Sequence, residues 1–148
     1  MAAYTLIENK RAKFDYQIDR IFVAGIQLSG GEVKSLRLRQ ASLGGSFVKI
    51  MNDDSAILLG AQITPYKFAE NRDYDPKRTR RLLLRKSEIA KLKEGASQKG
   101  YTLVPLAFMV DSAFIKLKVG VARGKKQFEK RQQIKKRDLE REARRGEY

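Results

Sequence analysis

A chain of 148 residues, 42% of them hydrophobic, is long enough for one domain with an appendage and too apolar for wholesale disorder. It contains no Cys and no His, which removes disulfides, thiol chemistry, the commonest metal ligand and the usual general base near neutral pH. Its 32 Lys and Arg outnumber 17 Asp and Glu to give a net charge of +15, and a domain this basic points to a polyanionic partner. No apolar run has the length of a membrane span, and the N-terminus lacks the layout of a secretory signal. The expectation is a cytoplasmic protein with no membrane partner, no metal and no cofactor.

In chain order, Glu8 to Tyr16 reads as a short arm that sets Lys10, Arg11 and Lys13 beside Phe14 and Tyr16. Cations interleaved with aromatics suit a phosphate backbone with bases packed alongside; equally, the two rings can cover one end of a core. Tyr16 to Leu28 reads as a strand, with Gly25 marking a bulge or bend. Glu32 to Arg39 reads as a short helix with Val33 and Leu36 inward and Lys34, Arg37 and Arg39 outward. Ser46 to Met51 and Ser55 to Ile63, joined by Asn52-Asp53-Asp54, read as a hairpin that Pro65 ends.

From Arg72 to Lys86 seven cations face only Asp73 and Asp75, a net of +5 in one loop and the start of the next element. Such a loop on a compact body is a contact candidate. Leu82-Leu83-Leu84 behind it reads as a buried strand or helix start. Ser87 is a candidate cap for a helix from Glu88 to Lys99, with Gly95 weakening its second half. Tyr101 to Val110 reads as a strand in which Pro105 demands an edge or a bulge. In Phe114 to Val121, Ile115, Leu117, Val119 and Val121 face one way while Lys116 and Lys118 face the other.

These elements predict a mainly β fold: a small antiparallel barrel with flanking short helices, occupying residues 1–122. Residues 123–148 carry eleven cations and five acids and no wide apolar face. They read as a basic tail, disordered when free and helical when bound. The close acid pairs Asp53-Asp54 and Asp73-Asp75 leave Mg²⁺-dependent RNA chemistry as a conceivable enzyme reading. Asp is nevertheless expected in a hairpin turn for local geometry, and Asp73 and Asp75 sit among neutralising cations, so binding without catalysis is the expectation. A generic single-strand-binding barrel is the other alternative.

Seven stretches occur in order over nearly the whole chain: Asn9-Lys10-Arg11-Ala12 with Asp15-Tyr16, Ala24-Gly25-Ile26, Gly31-Glu32-Val33-Lys34-Ser35-Leu36-Arg37, Ile63-Thr64-Pro65-Tyr66, Asp75-Pro76 with Arg78, Arg80 and Leu82-Leu83-Leu84, Tyr101 to Leu106, and Ala122-Arg123-Gly124-Lys125-Lys126 through Lys130-Arg131. Together they resemble the SmpB family of SsrA-binding proteins. The resemblance implies an OB-fold barrel that binds the tRNA-like domain of transfer-messenger RNA. It also implies delivery of that RNA to stalled ribosomes for trans-translation, with elongation factor Tu reached through the RNA complex and the protein a monomer. The tail is implied to enter the small-subunit decoding centre and the empty mRNA channel. Carried over, the RNA-binding set is Asn9, Lys10, Arg11, Lys34, Arg37, Arg78, Arg80, Arg81, Leu83 and Arg85. The ribosome-binding set is Gly124, Lys125, Lys126, Phe128, Lys130 and Arg131. This chain departs from the family at Val23, where an acidic residue is usual, at Arg85, where Asn or His is usual, and at Phe128-Glu129, where Tyr or His and Asp are usual.

Overall fold

The computed structural model describes residues 3–125 and 127–145. Nine strands and four helices follow one another among them: β1 (Tyr4–Glu8), α1 (Lys10–Asp15), β2 (Tyr16–Ile26), α2 (Gly30–Arg37), β3 (Ala41–Ser42), β4 (Phe47–Ile50), β5 (Ala56–Leu59), β6 (Gln62–Ile63), β7 (Arg80–Leu83), α3 (Lys86–Ser97), β8 (Tyr101–Asp111), β9 (Phe114–Gly124) and α4 (Gln127–Arg145). Seven strands form one antiparallel sheet in the order β1-β8-β9-β2-β7-β5-β4, and β3 and β6 make a separate pair. The sheet coils until β4 packs beside β8, with α3 lying across β8, β9 and β4. The expected mainly β architecture is therefore the observed one.

Alternation sets the core. On β9 the odd residues Ile115, Leu117, Val119 and Val121 are buried, and they meet Ala24, Ile26, Leu58, Leu82 and Phe108 from the neighbouring strands. Val104, Leu106, Ala122 and Ala12 form a second, smaller cluster under α1. That cluster explains why β8 is apolar without alternation: the strand is covered on both faces.

Several local expectations change. The stretch read as an arm is instead β1 followed by α1, closed by the side chain of Asn9, which accepts from the Ala12 backbone N–H. The bulge in β2 lies between Ile18 and Arg20, away from Gly25. Gly25 pairs with Lys116 on one side and Leu83 on the other, and a Cβ there would come within 3.2 Å of the Leu83 Cβ. Ala41-Ser42, assigned to no element from the sequence, pairs with β6. Helix α3 starts two residues before the expected Glu88. Ser87 lies inside its first turn, and the Glu88 carboxylate accepts from the backbone N–H of Arg85. Pro105 sits in a central strand and meets its missing N–H with a bulge, as the ladder shifts between Pro105 and Ala107. The bulge exposes carbonyls that Asn9 collects: its Nδ2 donates to Pro105 O at 2.8 Å and its N–H to Leu106 O at 2.8 Å.

Gly95 has a packing role that its helix propensity hides. A Cβ at this position would lie 2.8 Å from Val121 Cγ1, so glycine lets α3 sit directly on β9. In an exposed helix, Gly95→Ala would gain up to about 1 kcal/mol. Here overpacking against a stiff, buried valine costs about 1–3 kcal/mol. We expect Gly95→Ala to lower the urea midpoint and Gly95→Val to lower it further; an alanine variant more stable than the parent would contradict this packing.

Candidate nucleic-acid interface

Helix α2 carries Glu32 in its first turn, held in a capping box. Ser29 Oγ accepts from Glu32 N at 3.2 Å, and Glu32 Oε1 accepts from Ser29 N at 3.0 Å. The carboxylate is 1% exposed. Two arginines, from the start of β7 and the segment just before it, converge on it. Arg80 Nε donates to Glu32 Oε2 at 2.8 Å, and Arg78 Nε donates to the same oxygen at 3.1 Å while its terminal nitrogen meets Oε1. Arg80 is wholly buried and uses all five N–H donors. Beyond Glu32 they reach Ala61 O at 2.8 Å, Arg78 O at 3.0 Å, Pro76 O at 3.0 Å and Tyr74 Oη at 3.1 Å. Tyr74 Oη lies 2.9 Å from Ile63 O and 3.0 Å from Glu32 Oε2. Burial pushes the Glu32 carboxyl up, but donors from Arg78, the Ser29 backbone and Arg80 outweigh it and hold its pKa at about 2. Burial and then the Glu32 charge push the Tyr74 hydroxyl up from its usual value.

The network sets how β7 faces. Arg80 and Leu82 point inward, so Arg81 and Leu83 point outward. Register then places neighbours on the same outer face. Leu83 lies opposite Gly25, Arg81 opposite Ile57, and Ile57 opposite Lys49; Gly25 and Val23 lie opposite Lys116 and Lys118. Ile21, Val23, Leu83 and Phe47 are exposed apolar groups on this face. Within the registered stretch from Lys49 to Lys118 the outer face carries four cations (Lys49, Arg81, Lys116 and Lys118); Lys116 also lies 3.7 Å from Asp111 Oδ2 at the end of β8. Cations spaced around apolar side chains meet phosphates and sugar or base faces together. The sequence-based set included Arg81 and Leu83 but left out Lys116 and Lys118. Their outward alternation on β9 was the available signal.

The remaining predicted residues divide into two kinds. Lys10, Arg11, Lys34, Arg37 and Arg85 are exposed, and Arg78 keeps part of its side chain at the surface while bound to Glu32. Asn9 and Arg80, expected on the RNA-facing surface, are interior instead. The Asn9 amide is spent on Ala12, Pro105 and the more distant Leu43 O at 3.4 Å, so it anchors the helix bearing Lys10 and Arg11. Arg80 orients its neighbours without reaching solvent.

In the tail, Gly124 continues β9 opposite Tyr16, so the strand runs two residues past the predicted boundary at 122. Lys125 N donates to Asp15 O at 2.8 Å and its Nζ to Lys13 O at 3.0 Å. Lys130 Nζ lies 3.4 Å from Asp15 Oδ1, and the Arg137 guanidinium stacks 5.9 Å from the Phe14 ring centre. Helix α4 thus rests against α1, with Arg131 exposed. Lys126 and the Phe128 side chain lie outside the described residues.

Three of the four paired acids have structural work. Asp53 Oδ1 accepts from Ser55 N at 3.0 Å and Ser55 Oγ at 2.6 Å. Asp54 accepts from Lys93 at 2.5 Å, and Asp75 Oδ1 accepts from Lys77 N at 2.9 Å. Among the described residues no three carboxylates group as a metal site would need. No helix among them is long and apolar enough to cross a membrane.

Removing Glu32 strands a buried guanidinium, a change that costs about 3–5 kcal/mol. Glu32→Gln should therefore unfold at markedly lower urea than the parent at pH 7. The folded carboxyl titrates below its unfolded value of 4.5. Its stabilisation is complete above that value and is lost as pH falls from about 4.5 towards about 2. Urea titrations across this window should show a steeper loss for the parent than for Glu32→Gln; parallel curves would contradict the assignment.

Comparison with known proteins agrees with this geometry. Residues 6–147 match the family model described as SmpB protein. The SsrA-binding protein of Lactobacillus delbrueckii subsp. bulgaricus is 47% identical over 140 residues, covering 95% of this chain and 91% of that one. That of Chlorobium phaeovibrioides is 49% identical over 137 residues, covering 92% and 87%. A solved structure described as "tmRNA-SmpB: a journey to the center of the bacterial ribosome" aligns with a TM-score of 0.70 at 41% identity, covering 84% of this chain and 87% of that one. The chain belongs to the SmpB family of SsrA-binding proteins.

Proposed function

We propose that this protein binds the tRNA-like domain of transfer-messenger RNA and acts with it on stalled ribosomes in trans-translation. Family membership across residues 6–147 and likeness to a tmRNA–SmpB structure support this reading. The observation that carries it in this chain is the outer sheet face, where Lys49, Arg81, Lys116 and Lys118 surround Leu83 and Val23. Lys10, Arg11, Lys34, Arg37, Arg78 and Arg85 extend the cationic surface over α1, α2 and the turn into α3. Such a surface recognises backbone and shape, as a folded RNA requires. Binding rather than catalysis is the activity, and the cytoplasm is where it takes place.

The tail is a second, separable binding element. Lys125, Lys126, Phe128, Lys130 and Arg131 serve the ribosomal small subunit, with α4 leaving α1 to enter the mRNA channel. Among the described residues, Asp15 and Phe14 hold α4 through a partly exposed ion pair with Lys130 and a cation–ring contact with Arg137, which RNA phosphates and bases can replace.

Two measurements test the two halves. With roughly six phosphates neutralised, log affinity for the tRNA-like domain should fall with log salt at a slope of about −4 to −5. A slope near zero would contradict a phosphate-reading surface. Deleting residues 126–148, which spares β9 and the Lys125–Asp15 backbone bond, should leave that affinity nearly intact and abolish peptide tagging on stalled ribosomes. Equal loss of both would show that body and tail are one binding element.

A further inference from the structure

Phe68 is 78% exposed, the most exposed of the large hydrophobic side chains among the described residues. A single exposed apolar side chain is ordinary by itself. Three observations set this one apart. First, its loop is pinned rather than free. Thr64 N donates to Gln40 O at 3.0 Å, Ser35 Oγ to Thr64 O at 2.6 Å, Ile63 N to Pro76 O at 2.9 Å, and Asn71 Nδ2 to Tyr66 O at 2.7 Å. Tyr74 and Arg80 tie the far end of the loop to Glu32, as described above. Second, the ring has set company: Tyr66 packs edge-on at 5.6 Å and 70°, and the Lys67 ammonium sits 5.5 Å from its centre. Third, the loop tip lies against α2. A Cβ on Gly31 would come within 3.1 Å of the Ala69 Cβ, and Lys34 follows one helical turn after Gly31.

We propose that Phe68 is a stacking platform for an unpaired base of the bound RNA, with Lys67 and Lys34 meeting the flanking phosphates. An aromatic ring with a cation beside it matches a nucleotide, which carries a flat face and a charge in the same unit. The ring is presented on a braced loop, so little ordering entropy is lost when a base settles on it. The net charge of +15 favours a nucleic acid over a protein as the occupant. This assignment rests on the RNA-binding reading and names a contact that the basic residues alone do not supply.

The chain contains no Trp, so Phe68→Trp introduces a single indole at the loop tip. The probes are a tRNA-like domain with unpaired loop bases and a blunt RNA duplex of equal length. The expected result is strong quenching of the indole by the tRNA-like RNA and little by the duplex. Phe68→Ala should weaken binding of the tRNA-like RNA by about 5- to 150-fold, and Phe68→Trp should retain it. Because the ring is at the surface, these variants keep the parent fold. Parent-like affinity of Phe68→Ala with an unchanged indole signal overturns the platform, leaves the RNA-binding reading standing and assigns the ring to a protein partner. Equal quenching by the duplex also overturns it, since backbone proximity would then explain the signal. If the parent chain binds neither RNA, the RNA-binding reading and the platform fall together.

Discussion

The buried Glu32–Arg80 pair is the interaction on which the functional surface depends. One carboxylate from α2 holds two arginines that arrive 46 and 48 residues later. Through Arg80 it also fixes the carbonyls of Ala61, Pro76 and Arg78. A buried ion pair often contributes little net stability against an apolar alternative. Its effect here is geometric. With Arg80 locked inward, strand alternation forces Arg81 and Leu83 outward, and register carries that choice across β2, β5 and β9. Complete satisfaction of the guanidinium makes the inward state unique, and among the described residues no buried side-chain nitrogen or oxygen lacks a partner.

The same carboxylate separates two uses of positive charge. Arg80 is neutralised inside, Arg78 is half-spent at the rim, and Arg81, Lys116 and Lys118 remain outside. A surface rich in cations repels itself, so placing it on a sheet braced from beneath keeps the charges at fixed spacing before any RNA arrives. Helix α1 is positioned by the same logic. The Pro105 bulge frees a carbonyl, Asn9 takes it, and Lys10 and Arg11 are presented at the start of the helix.

Much of this was legible in the sequence where the signal was local. The alternation of Ile115 to Val121, the hairpin around Asn52-Asp53-Asp54 and the bulge at Pro105 each follow from residues within a few positions. The family resemblance located the functional class and most of the exposed cations. Arg80 was not legible as a core residue, because its neighbours Arg78 and Arg81 are also cations and its acid lies 48 positions upstream. Asn9 read as a contact because polar residues in a basic stretch look solvent-facing; its partners lie 34 and 96 residues away. Gly95 read as a weak point in a helix, since the valine it accommodates belongs to a different element. In each case the missing information was a long-range contact, which one-dimensional patterning does not contain.

The strand order bears on how the molecule comes into being. Among the described residues β1 pairs only with β8, and β2 pairs along almost its whole length with β9, so both N-terminal strands wait for the last third of the chain. During synthesis the β4–β5 hairpin can pair as it emerges, but β1 and β2 emerge before the strands they pair with, and β8 and β9, which carry the longest ladders, are the last strands to arrive. The β1-β8-β9-β2 part of the sheet therefore cannot grow in the direction in which it is translated. It closes late, around the β8–β9 hairpin, and sequence-distant pairing of this kind slows folding for a domain of this size. Until then the apolar faces of β1 and β2 stand uncovered, and the high positive charge of the nascent chain keeps such chains apart.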